Sequence, residues 1–98
     1  MGLHPRTRRL MARVGENLAT WRAIQGLTAT AVADRAGITR ATLRAIEHHP
    51  ETVRFESILA VAAVLGMDTD IARAFDPVES DRGRILLEAA ARRRGQPR

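Results

Sequence analysis

The sequence has no cysteine, no lysine and no tyrosine, and only two phenylalanines and one tryptophan among 98 residues. Each gap excludes something. Without cysteine there is no disulfide framework and no thiolate chemistry, which fits a cytoplasmic protein. With so few aromatics the core must be built from Ala, Leu, Ile and Val, and that favours packed helices over sheets. No apolar run approaches the roughly 20 residues of a membrane span, and no apolar segment follows the basic N-terminus as a signal peptide requires, so no membrane partner is expected. Nor does the chain supply a nucleophile beside a base, a paired-carboxylate site or a glycine-rich phosphate loop. It reads as non-enzymatic, with no catalytic residues and no cofactor. His48 and His49 invite a metal reading, but their spacing is wrong for two ligands on one helix face and no further ligands cluster with them. They are expected in a surface loop near a nucleic-acid backbone, since Pro50 disfavours helix at the residue before it.

What is present in quantity is arginine. All sixteen basic residues are Arg, and the net charge is +5. Arg6, Arg8, Arg9 and Arg13 stand in residues 1–13 without an acid, and Arg92, Arg93, Arg94 and Arg98 close the chain in the same way. The middle of the chain is mildly acidic. Basic ends on an acidic centre are suited to gripping phosphates, or else serve as solubilising tails.

The centre is organised around Thr28–Glu47, TATAVADRAGITRATLRAIE. Thr28 precedes an apolar-periodic run and suits an N-cap. Val32, Ala33 and Ala36 share one helix face, and Gly37 follows where a left-handed turn needs no Cβ. Thr39 caps a second helix that carries Leu43 and Ile46 inward and turns Arg40, Ala41, Arg44 and Ala45 outward, with Thr42 partly turned away. Ala33 and Gly37 are read as the small residues that let the two helices approach. Two helices in this arrangement form a helix-turn-helix, whose second helix fits a DNA major groove.

Around the motif the periodicity predicts further helices. Leu10, Val14, Leu18 and Trp21 form one stripe of a first helix, with Trp21 in the core. Gly15 interrupts that run at about 1 kcal/mol relative to Ala, so the helix, which starts from Arg6, is expected to be well determined only from Val14, with the Arg-rich turns before it conditionally helical. Leu3, His4 and Pro5 read as a disordered or short lead-in. A helix over Phe55–Leu65 should turn Phe55, Ile58, Leu59, Ala62 and Leu65 inward. A short fifth helix holds Ile71, Ala74 and Phe75, and Pro77 stops it. Ser80 or Asp81 caps a sixth, with Ile85, Leu86, Ala89 and Ala90 as its apolar face. The fold class is all-α: a five-helix domain over residues 14–76, a basic arm over 1–13, and a C-terminal helix and Arg-rich tail over 77–98.

These residues resemble a known family. VGENLATWRAIQGLTATAVADRAGITRATLRAIE, continued by VRFESILAVAAVLGM, is similar to the lambda-repressor-like DNA-binding domains of the XRE family. The resemblance implies a homodimeric transcriptional repressor acting on an inverted-repeat operator. The tail, with Asp76, Pro77, Asp81, Gly83 and its Arg cluster, resembles that of HipB-like antitoxins, which bind HipA-like kinase toxins and repress the operon they share. A stand-alone phage-like repressor and a protein-interaction module are the alternatives. The chain departs from the family at Ala29, where Gln is common, and at Arg54, where Ser or Thr usually caps the fourth helix.

Arg40 is the best base reader, because its fork can take guanine O6 and N7 together. Arg44 reads a base or reaches a phosphate, Thr39 and Thr42 suit phosphates or base edges, and Ala41 suits a thymine methyl. Thr28, Ala29 and Thr30 at a helix N-terminus, with Arg54, would hold the backbone. Ile71, Phe75, Ile85 and Leu86 exceed the needs of one small core and are the expected dimer or partner surface.

Overall fold

The computed structural model describes residues 2–95, so the placement of Arg98 in the basic tail lies outside the described residues. Six α-helices and no strand occur among them: α1 (Pro5–Ile24), α2 (Ala29–Ala36), α3 (Arg40–His48), α4 (Phe55–Val64), α5 (Asp68–Ala74) and α6 (Asp81–Gly95). The all-α expectation, with five helices and a further C-terminal one, is met. The chain divides into two compact units, Met1–Asp68 and Thr69–Arg98.

The first unit closes on Leu18, Val32, Ala33, Leu43, Ile46, Ile58, Val61 and Leu65, all buried. Leu27, Ile38 and Val53 pack against them from the connections. Apolar burial of this kind contributes about 25 cal/mol per Å2 and is the main favourable term holding the helices together.

Helix α1 departs from expectation in three ways. It is continuous from Pro5, its Arg-rich first turns included, because the His4 Nδ1 accepts from the Arg6 N–H at 3.1 Å and Pro5 stands at the first helical position. There its missing N–H removes no helical bond and its fixed φ is already helical. Gly15, read as an interruption, is buried; a Cβ on it would lie 2.7 Å from the Ile46 carbonyl oxygen and 2.9 Å from that of Glu47. The glycine is therefore what lets α1 lie against the end of α3. Trp21, placed in the core by periodicity, is 43% exposed, and Leu10 and Val14 are exposed with it. Of the expected stripe only Leu18 is buried; the inward face is instead Met11, Gly15 and Leu18.

Helix α4 is also rotated from its predicted orientation. Phe55 is 56% exposed, Leu59 is half-buried, and Val61 joins Ile58, Ala62 and Leu65 in the core. Arg54 makes no side-chain cap to this helix. Gln25 ties the end of α1 to the end of α4 by donating from Nε2 to the Leu65 carbonyl at 2.9 Å.

The second unit is held by its own local contacts. Asp76 accepts from the Val78 N–H at 3.0 Å and opens a 3-10 turn over Pro77–Glu79. Of the two candidate caps for α6, Ser80 serves: its Oγ accepts from the Gly83 N–H at 2.9 Å. Gly83 is buried because the Pro77 backbone lies where its Cβ would stand. The Asp-Pro…Gly spacing of the tail is thus a packing requirement of the turn on α6.

Candidate nucleic-acid interface

The helix-turn-helix is built by local backbone chemistry. Thr28 Oγ1 accepts from the Ala31 N–H at 3.0 Å, which satisfies one of the N–H groups that a helix start leaves without a partner. The Ala29 and Thr30 N–H groups remain at the open end of α2. Gly37 has φ 71° and closes α2, with the Ile38 N–H donating to the Ala33 carbonyl at 3.0 Å. No atom lies within 4 Å of where its Cβ would be, so Gly37 serves the left-handed backbone and not a close approach of helices. Ala33, fully buried, fills the small-residue role alone.

Thr39 starts α3 in the same way, accepting from the Thr42 N–H at 3.0 Å while its own hydroxyl donates to Thr42 Oγ1 at 2.9 Å. That engagement leaves the Thr42 hydroxyl proton free to turn outward. Leu43 and Ile46 anchor the inner face in the core, so the helix cannot rotate about its axis. Arg40, Ala41 and Arg44 are exposed on the other side. No carboxylate pairs with Arg40 or Arg44 among the described residues.

One ion pair braces this helix from behind. Arg22 Nε donates to Glu47 Oε2 at 2.8 Å and its NH2 to Oε1 at 3.0 Å, a two-pronged contact; its NH1 reaches the Leu27 carbonyl at 3.3 Å. The Glu47 side chain is only 8% exposed. The hydrogen bond that Arg22 donates to Glu47, opposed by partial burial and assisted by the carboxylate charge, raises the Arg22 pKa and keeps the guanidinium charged. The pair joins α1, the α1–α2 connection and α3 into one frame.

The predicted residues assemble in part. Ala29, at the N-terminus of α2, lines the same open groove as Arg40, Ala41 and Arg44 of α3, whereas Thr28 and Thr30 do not line it. Arg54 is not among the residues lining that groove; its Nε stands 3.3 Å from Glu56 at the exposed start of α4. Ile71 is half-buried, while Phe75 and Leu86 line one depression of the second unit with Pro77 and Gly83; Ile85 is exposed outside it.

His48, expected in a loop near a nucleic-acid backbone, is instead the last residue of α3, exposed and in line with Arg40 and Arg44 at spacings of four. It borders the groove of the arginines and also a second one lined by Arg8 and Glu51, so the N-terminal end of α1 lies beside the C-terminal end of α3. The i, i+4, i+8 spacing was legible; the proline two residues on concealed it. Helix α3 stops at His49, and Pro50 begins a 3-10 turn whose buried ring packs under it.

Residues 18–75 match the family model described as helix-turn-helix. Neither the curated proteins nor the solved structures provide a match to the chain.

Proposed function

The chain belongs to the helix-turn-helix family of XRE-type DNA-binding regulators, and from that premise we propose that it is a sequence-specific transcriptional repressor working as a homodimer on an inverted-repeat operator. The observation that carries this reading is the exposed face of α3. Two arginines without carboxylate partners stand there on a helix fixed by Leu43, Ile46 and the Arg22–Glu47 pair. A preorganised, unpaired guanidinium loses little on meeting a guanine or a phosphate.

In this mechanism two copies of α3 enter successive major grooves about 34 Å apart. Arg40 reads guanine, Arg44 reads a base or a phosphate, and Ala41 meets a thymine methyl. The Ala29 and Thr30 amides hold a phosphate at the start of α2, where the helix dipole favours an anion. Thr28 and Thr39 act by capping these helices, and the Thr42 hydroxyl is available to the backbone. Arg54 reaches a phosphate by exchanging its contact with Glu56. Arg8 and His48 extend the basic surface past the end of α3. Phe75 and Leu86, with Ile71 and Ile85, form the dimer surface.

The tail pattern supports a more specific role: the antitoxin of an operon that it represses, binding a HipA-like kinase toxin in the cytoplasm. Footprinting on the DNA upstream of the gene tests the repressor reading. Two protected half-sites centred one helical turn apart are expected; uniform protection of any duplex at physiological salt would refute it. Co-expression with the product of the neighbouring gene tests the antitoxin reading, and a neighbour without a kinase-like fold would leave the stand-alone repressor.

A further inference from the structure

Helix α1 carries a second apolar line that the fold does not use. Leu10, Val14, Asn17, Trp21 and Ile24 follow one another at spacings of four, three, four and three, the repeat of a helix-pairing seam. All five are exposed, Ile24 by 69%. The seam lies on the side of α1 away from Gly15, which touches α3. Asn17 stands at its centre, where coiled coils use a polar residue to fix register.

Charge indicates what covers the seam. Arg6, Arg9 and Arg13 run along one flank, all exposed and without an ion-pair partner among the described residues; Glu16 is the one acid on that flank. The first turn of α1 holds no acidic residue, so its arginines oppose the helix dipole. An anionic neighbour would relieve both conditions. A second copy would not, because its α1 brings one acid, Glu16, against Arg6, Arg8, Arg9, Arg13 and Arg22. The chain's own α6 is net basic as well. A bilayer needs a broad apolar face, whereas this seam is one residue wide and polar at its middle.

We infer that the outer face of α1 is a docking surface for an amphipathic helix of a different protein, one with an apolar seam flanked by acidic residues. The surface is independent of the DNA-binding reading and stands or falls separately from it.

Trp21, the sole tryptophan, reports directly on the seam. The probe is a synthetic helical peptide of four heptads with Leu at the seam positions, one central Asn, and Glu at the flanks. Binding to the full chain should move Trp21 emission to the blue and protect it from acrylamide, and the affinity should fall as salt rises. Replacing the peptide's Glu by Lys, or Arg6, Arg9 and Arg13 of the protein by Gln, should weaken binding about tenfold or more. Val14→Glu should abolish it while far-UV circular dichroism and DNA binding persist. The proposal is overturned by an unchanged Trp21 signal with the Glu peptide, or by equal binding of the Lys peptide. It also fails if anionic phosphatidylglycerol vesicles protect Trp21 and the peptide does not, or if the chain self-associates and Val14→Glu makes it monomeric.

Discussion

Replacing Gly15 by alanine sets two physical effects of opposite sign against each other. Helix propensity favours Ala over Gly in a helix interior by about 1 kcal/mol, so a local view predicts stabilisation. The tertiary structure opposes it. The new methyl would stand 2.7 Å and 2.9 Å from two backbone carbonyl oxygens at the end of α3, and neither can move without moving the helix. Overpacking a close contact costs about 1–3 kcal/mol, and a clash with backbone belongs at the upper end. The net expectation is a loss of about 2 kcal/mol, which lowers the melting temperature of a domain of this size by about 8–16 °C. Thermal unfolding followed by circular dichroism measures it. Ala12→Gly, at an exposed position in the same helix, is the control and should cost about 1 kcal/mol from propensity alone. A Gly15→Ala protein that melts at or above the wild-type temperature would refute the close-approach argument. Since the carbonyls belong to Ile46 and Glu47, the variant should also weaken DNA binding by displacing the C-terminal end of α3.

Other outcomes follow from the interface. Arg40→Ala should reduce discrimination between operator and random DNA by about 1–3 kcal/mol in competition binding, while retained full discrimination would remove Arg40 as a base reader. Arg8→Ala should weaken binding to all sequences alike and lower the salt slope by about one, measured by titration at several salt concentrations. Thr39→Ala, which removes the α3 cap, should cost about 1 kcal/mol in chemical denaturation. Glu47→Ala leaves a half-buried guanidinium without its carboxylate; because Arg22 can still hydrate, the loss should be about 2 kcal/mol, below that of a fully buried pair. Because the Arg22 pKa is raised, the loss of its charge, and with it of this contribution, comes only as pH rises into strong alkali.

The motif itself was legible because its signals are local. A hydroxyl three residues ahead of a free N–H makes a cap, and a glycine after the last periodic residue makes a left-handed turn; both Thr28 and Gly37 do so. The same holds for Thr39 and for Ser80. His48 falls in a loop on the sequence reading because the restriction on the residue before proline was extended one residue too far; it closes α3. Gly37 was credited with a packing role it does not have, since spacing alone does not separate a backbone requirement from a steric one.

Orientation about a helix axis is a different matter. Helix α1 has two apolar lines, Met11–Gly15–Leu18 and Leu10–Val14–Asn17–Trp21–Ile24, and periodicity favours the one with larger side chains. The structure buries the other, because α3 presents carbonyl oxygens that only a glycine can meet and Glu47 faces Arg22 on that side. Phe55 is turned out for the same kind of reason: Val61 and Ile58 fill the available volume of the core. The sequence by itself determined the helix boundaries at Thr28, Gly37, Thr39 and Ser80, through contacts reaching three or four residues. Which face each helix buries was decided only by tertiary structure, since it depends on neighbours distant in the chain whose shape and charge no local pattern contains.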